Sequence, residues 1–170
     1  MKLAITDACI FIDIYDLQLT SNFFKLNLEI HTSIDVFNEL YDEQKEMLRA
    51  YQQVGKLTLH SIEQEDRKAI FAKNFPRSLS DNDKTVLYLS EKIEAMVLSS
   101  DKAVRTIAKK LCVEYHGMLW IFDKLIEEGI ITPNIAIEKI NKLLATNIVY
   151  QNNSELTNEI DKRIKLWANK

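Results

Sequence analysis

Four acidic residues open the chemical reading of this chain: Asp7, Glu39, Asp83 and Asp101. Asp7 directly follows the apolar run Leu3-Ala4-Ile5-Thr6. Asp101 closes Ala95-Met96-Val97-Leu98-Ser99-Ser100. Two apolar segments that each run into an aspartate place a carboxylate at the end of a buried strand. In open parallel sheets, ligand sites lie beyond the carboxyl ends of the strands, where strand order reverses. Glu39 falls on the helix after the second strand and Asp83 in the first turn of the helix before the fourth, so both can lean over that edge. Two carboxylates about 5 Å apart repel by roughly 3 kcal/mol at an effective dielectric of about 20. Four together either raise one another's pKa or recruit a cation. Oxygen donors without His or Cys suit Mg²⁺ or Mn²⁺ rather than zinc. A cation in such a site lowers the pKa of a water and neutralises charge building on a phosphate. The chemistry to which the set is fitted is phosphodiester hydrolysis.

Each acid has a plainer explanation beside this one. The chain holds 25 acidic residues, most of them solvated surface. Asp83, like its neighbour and fallback Asp81, is a favourable charge near a helix N-terminus. Glu39 reads equally as an exposed helix residue beside Asp42 and Glu43. Asp7 and Asp101 resist this because each follows an apolar strand.

The elements that must position these residues alternate along the chain. Strands are expected at 3–6, 28–32, 57–60, 95–98 and 113–116, from continuous or alternating apolar runs. Between them the spacing predicts helices at 8–17, at 34–51 behind the N-cap Ser33 and ending at Gly55, at about 63–73, behind Ser80, and at 103–111. Further helices are expected at 117–128, stopped by Gly129, from Thr132-Pro133 to about 145, and from Ser154, with Leu156, Ile160, Ile164 and Trp167 on one stripe. Strands alternating with helices imply an α/β fold with a parallel sheet covered on both faces. The division expected is a domain at 1–131 and a helical extension at 132–170, covering the domain's own surface or serving a partner.

Composition removes other classes. With 170 residues, a formal charge of −3 and only 3 glycines, the chain lacks G-x-G-x-x-G, the P-loop and the G-x-S-x-G elbow, which excludes dinucleotide enzymes, P-loop ATPases and serine hydrolases. An aspartyl-nucleophile phosphatase wants a second Asp where Cys9 stands. The charge advertises no nucleic-acid binder in bulk, so such contacts must be local. Lys84 beside Asp83, and Lys102 and Arg105 on the helix opening at Asp101, are the candidates for RNA. Arg105, four residues past Asp101, reads equally as a partner that holds that carboxylate, and Lys109 and Lys110 as solvated face. Phe23 and Phe24 stack bases or pack, and packing is favoured. Cys9 and Cys112 read as reduced, buried thiols. His31, His60 and His116 read as single histidines at strand ends. No apolar run of membrane-spanning length or signal-peptide core is present, and a cytoplasmic location is expected.

LAITDACIFIDI, TSIDVFNEL, SLSDNDKTVLYLSEK and VLSSDKAVRTIAKKLCVEYHGMLWIFDKLIEEGII, in that order and spacing, resemble the PIN-domain family over roughly residues 1 to 135. The resemblance implies a three-layer Rossmann-like sheet in the order 3-2-1-4-5 and a ribonuclease dependent on Mg²⁺ or Mn²⁺. It further implies a VapC-like toxin, usually a homodimer held inactive by a small antitoxin protein. Asp7, Glu39, Asp83 and Asp101 match the family's acidic positions. Two features depart from its pattern: Met118 and Trp120 replace a Thr and a second Gly, and Ser99-Ser100 stands where an extra Asp is common. One metal rather than two, or weak activity, is consistent with this. The alternatives are a catalytically weak or inactive PIN scaffold that binds a protein, and a metal-dependent phosphatase of another Rossmann-like class.

Overall fold

The computed structural model describes residues 1–170. Five strands, β1 (Lys2–Thr6), β2 (Leu28–Ser33), β3 (Leu57–His60), β4 (Met96–Leu98) and β5 (Tyr115–His116), form one parallel sheet in the order β3-β2-β1-β4-β5. Every residue of β4 is buried, as are Ala4, Ile5 and Thr6 of β1. Central strands of a sheet covered on both faces need that continuous apolar run, which is why these two segments showed no alternation.

Eleven helices connect and cover the sheet: α1 (Ala8–Asp16), α2 (Thr20–Phe23), α3 (Ile34–Glu39), α4 (Asp42–Gln53), α5 (Gln64–Ala72), α6 (Asp81–Lys92), α7 (Lys102–Lys110), α8 (Met118–Glu127), α9 (Pro133–Thr146), α10 (Ile148–Gln151) and α11 (Ser154–Ala168). The single helix expected over 34–51 is two. Leu40 and Tyr41 are extended, with ψ near 157° and 158°. The break lets Leu40 enter the core, where it is 4% exposed. The Tyr41 amide donates to Oε1 of the buried Gln44 at 3.0 Å and so starts α4. Helix α2 lies in a segment that reads as loop from sequence, and α10 was not expected. Gly55 and Gly129 stand just past α4 and α8 with φ of +72° and +67°, the left-handed turn that glycine accepts without strain.

The C-terminal helices lie on the chain's own surface. Ile160 and Trp167 of α11 are buried, and the Trp167 ring sits 6.2 Å from that of Phe122 on α8. Arg163 donates to Asp123 of α8 through Nε and Nη2 at 2.9–3.2 Å. Farther back, Lys142 Nζ reaches the Asp16 carbonyl at 3.0 Å, Asn147 donates to Asp13 at 3.2 Å and the Tyr150 hydroxyl to Ser100 at 3.0 Å. No helix is long and apolar enough to cross a membrane.

Two residue-level expectations are corrected. Cys112 is exposed, since it takes φ of +56° in the turn that ends α7. His31 and His60 are not isolated. Parallel pairing sets Ser33 opposite His60, and this register carries His31 Nδ1 to 2.8 Å from His60 Nε2, with Glu29 at 3.1 Å from His31 Nε2. His116 bonds Glu114 at 2.9 Å and stacks on Trp120.

Candidate metal centre

The sheet order makes β1 and β4 neighbours, with Thr6 opposite Leu98. The Asp7 amide continues that ladder by donating to the Leu98 carbonyl at 3.2 Å. Strand order reverses here, so Asp7 and Asp101 emerge on the same side of the sheet's carboxyl edge. Each caps the helix that follows it. Asp7 Oδ1 accepts from the Ile10 amide at 3.2 Å and Asp101 Oδ1 from the Val104 amide at 3.0 Å. A carboxylate at a helix N-terminus is held by unpaired amides and by the helix dipole.

Ser99 joins the two acids. Its hydroxyl is fully buried, donates to Asp7 Oδ2 and accepts from the Asp101 amide at 3.0 Å. Cys9 adds its thiol, with Sγ 2.9 Å and 3.1 Å from the two Asp7 oxygens, and it accepts from the Ser100 amide at 3.3 Å. Cys9, expected as a buried thiol, is half-buried and bonded to the first of the acids. Nothing in the spacing showed this, since the partner, Asp7, is two residues away on a turn whose shape the sequence leaves open.

Asp83 and Glu39 arrive from the other side. Ser80 and Asp83 bond reciprocally: the Asp83 amide donates to Ser80 Oγ at 3.0 Å, and the Ser80 amide to Asp83 Oδ2 at 3.3 Å. This capping box adds to the favourable charge near the helix N-terminus that was the plainer role foreseen for Asp83. It leaves the second carboxylate oxygen free of bonds. Glu39, the last residue of α3, is exposed and accepts from Asn82 Nδ2 at 2.9 Å, which ties the end of α3 to the first turn of α6.

The electrostatics tie the four together. Burial pushes the Asp7 carboxyl up to about 7 against the bonds from Cys9, Ser99 and Ile10, and the charge of Asp83 adds to the rise. Burial also raises Asp83, and the charges of Asp101 and Glu39 reinforce this. The charge of Asp83 thus bears on Asp7, and those of Asp101 and Glu39 on Asp83.

The basic candidates are less concentrated. Lys84 Nζ lies 3.2 Å from Asp81, the fallback acid, which thereby faces a lysine rather than the cluster. Lys102 is exposed. Arg105 does not hold Asp101: its guanidinium lies over the Tyr115 ring at 5.4 Å. Phe23 and Phe24 are buried, and Phe24 stacks on Tyr51 with ring centres 4.0 Å apart.

The sequence profile of a family described as PIN domain matches residues 3–165. The chain belongs to the PIN-domain family. No curated protein matches its sequence. PIN domains are generally nucleases and generally use divalent metals, and the match runs through the C-terminal helices, past the end of the resemblance visible in the motifs.

The donor chemistry of this PIN domain fits a hard divalent cation, because the acids are all-oxygen ligands and two of them are held in a state that positive charge relieves. The cage is not preassembled. No three His, Cys, Asp or Glu side chains stand together as a metal-binding group, and both Asp7 oxygens already carry donors from Cys9 and Ser99.

Proposed function

We propose that the chain is a divalent-metal-dependent endoribonuclease that hydrolyses RNA phosphodiester bonds, with Asp7, Glu39, Asp83 and Asp101 as the residues that hold Mg²⁺ or Mn²⁺. The supporting observation is a pair of carboxyls near the β1–β4 switch point whose charge is disfavoured mainly by burial, Asp7 raised to about 7 and Asp83 raised, with neighbouring acids adding to both. When bound, the cation supplies positive charge against the phosphate during in-line displacement and acidifies a water. Asp7, whose burial favours the protonated form, would hold the cation as a carboxylate. Ser99 keeps the Asp7 and Asp101 segments in fixed relation, and the caps on α1 and α7 aim their carboxylates. Lys84, Lys102 and Arg105 supply the local positive charge for RNA.

Residues 1–131 form the nuclease unit in this reading, and 132–170 are an extension packed against it. A cytoplasmic toxin, working as a homodimer and restrained by a small antitoxin protein, is the role that the family resemblance supports. One observation favours a second reading, an inactive PIN scaffold that binds protein: the acids are not gathered as a cage, and Asp7 is saturated by Cys9, Ser99 and Ile10.

The test is incubation of labelled RNA with the protein and Mn²⁺ or Mg²⁺, beside Asp7→Asn. Cleavage that needs both metal and Asp7 supports the nuclease. Metal binding without cleavage supports the scaffold. Phosphate released from small esters, with RNA intact, would point to a phosphatase.

A further inference from the structure

Helix α10 buries one side chain, Tyr150, at 2% exposed, and leaves its apolar Ile148 and Val149 at 65% and 55%. The Tyr150 hydroxyl donates to Ser100 Oγ at 3.0 Å. A buried tyrosine hydroxyl needs a partner. Phenylalanine would fill the same space without one, so the bond to Ser100 is what the tyrosine adds. Ser100 lies between Ser99, which bridges the acids, and Asp101. Its amide donates to Cys9 Sγ at 3.3 Å, and its hydroxyl also accepts from the amide of Met118, the first residue of α8, at 3.4 Å. Three residues before Tyr150, Asn147 starts α10 by accepting from the Val149 amide at 3.0 Å. Its Nδ2 donates at 3.2 Å to Asp13 of α1, the helix that Asp7 caps.

We propose that Tyr150 is a positioning residue of the metal centre: its hydroxyl pins the Ser99-Ser100-Asp101 loop and so fixes where the Asp101 carboxylate stands relative to Asp7. The inference rests on the nuclease reading for the cation and deepens it by making the C-terminal extension part of the site. All four acids precede residue 132, yet both arms that carry the strand-end pair are held from beyond it, the Asp101 loop by Tyr150 and the Asp7 helix by Asn147. Asp101 is exposed, and its carboxylate is held by the Val104 amide. Its aim therefore depends on the backbone of residues 99–101. Ordering a loose loop costs conformational entropy on binding an ion, and bonds behind a ligand remove that cost in advance, as they do in metal sites generally. The Ser99 hydroxyl and the Cys9 thiol tie this loop to β1 and α1, and Tyr150 ties it to the extension. A helix that only covered the surface would do so with its apolar side chains. Helix α10 leaves two aliphatic residues in water and commits the polar groups of Asn147 and Tyr150 to the two arms.

The experiment measures Mn²⁺ binding to the full chain from the electron paramagnetic resonance signal of the free ion, which needs no RNA. Wild type, Tyr150→Phe, Ser100→Ala and the double variant are compared, and Asp101→Asn identifies the Mn²⁺ that belongs to the acids. Groups that orient metal ligands are worth roughly ten- to a hundredfold in affinity. Tyr150 acts through Ser100, so Tyr150→Phe is expected at the low end, raising the Mn²⁺ Kd by about tenfold. Ser100→Ala raises it similarly, and the double variant falls short of the product of the two, because both remove the same bond. Trp167→Phe is the structural control. Trp167 lies ten residues along α11 from Thr157, whose hydroxyl bonds the Tyr150 carbonyl at 3.1 Å, a separation of about 15 Å. It weakens the seating of the extension, lowers the melting temperature at least as much as Tyr150→Phe, and leaves Mn²⁺ affinity unchanged. In single-turnover cleavage Tyr150→Phe slows the step at limiting Mn²⁺ and leaves KM for RNA unchanged.

Mn²⁺ affinity that ignores Tyr150→Phe, in a protein that cleaves RNA, overturns the positioning role and leaves the nuclease reading standing. Equal losses of affinity in Tyr150→Phe and Trp167→Phe show that the extension lends only general stability, and also overturn it. Mn²⁺ binding that depends on Asp101 and Tyr150, in a protein that cleaves nothing, overturns the nuclease reading and upholds the positioning role. Wild type that binds no Mn²⁺ through Asp101 overturns both.

Discussion

Replacing Asp7 with Asn makes the electrostatic cost of the buried carboxylate measurable. In the folded chain Asp7 titrates at about 7 against 3.8 for an ordinary aspartate, so the folded state binds this proton more tightly than the unfolded state. The sign follows from linkage: stability falls with rising pH wherever the folded state binds more protons. The cost is absent below about pH 4, grows between the two pKa values, and is complete above about pH 8. At about 1.4 kcal/mol per pKa unit, its ceiling is about 4 kcal/mol, of which about 2.5 kcal/mol develops between pH 5 and pH 8. Asparagine carries no charge at any pH. It also accepts fewer bonds from Ser99, Cys9 and Ile10, and each bond lost costs about 1 kcal/mol independently of pH. The measurable quantity is therefore the change with pH of the difference between variant and wild type. Urea unfolding in EDTA is expected to show Asp7→Asn gaining on wild type by up to about 2.5 kcal/mol from pH 5 to pH 8, or roughly 5–10 °C in melting temperature. Added Mn²⁺ at a hundred times its Kd restores about 2.7 kcal/mol to wild type and little to the variant. A difference that stays flat with pH would refute the claim that burial destabilises this charge.

Asp101→Asn keeps a good N-cap residue on α7, so the melting temperature should hold within a few degrees while metal-dependent RNA cleavage falls by at least about a hundredfold, read from single-turnover assays. Ser99→Ala removes the donor to buried Asp7 and leaves the part-buried Asp101 amide without its partner, and is expected to cost about 1–3 kcal/mol in urea unfolding; an effect near zero would show that water replaces the hydroxyl. Trp167→Ala opens the contact with Phe122 and should cost about 3–5 kcal/mol. A protected core in hydrogen exchange, with α11 alone exchanging freely, would show instead that α11 is only loosely attached.

Much of the frame was legible in local sequence. The apolar runs before Asp7 and Asp101, the N-caps Ser33, Ser80 and Thr132, and the stops at Gly55 and Gly129 each depend on a few neighbouring residues, and the fold keeps all of them. The order β3-β2-β1-β4-β5 came from the family resemblance rather than from any residue pattern. The break at Leu40 and Tyr41 was hidden because apolar residues keep helical spacing through it; only the pull of Leu40 into the core reveals it. Burial decided the rest. The position of Asp7 at a strand end shows in the sequence, but its high pKa depends on complete removal from water and on Asp83, which lies 76 positions away along the chain. The Ser99 bridge, the Cys9 thiol on Asp7, the His31–His60 pair and the turn of Arg105 toward Tyr115 rather than Asp101 arise from register and packing between distant segments. Sequence spacing fixes directions within one element; distances between elements, and so the energies of charged groups, are set only when the sheet assembles.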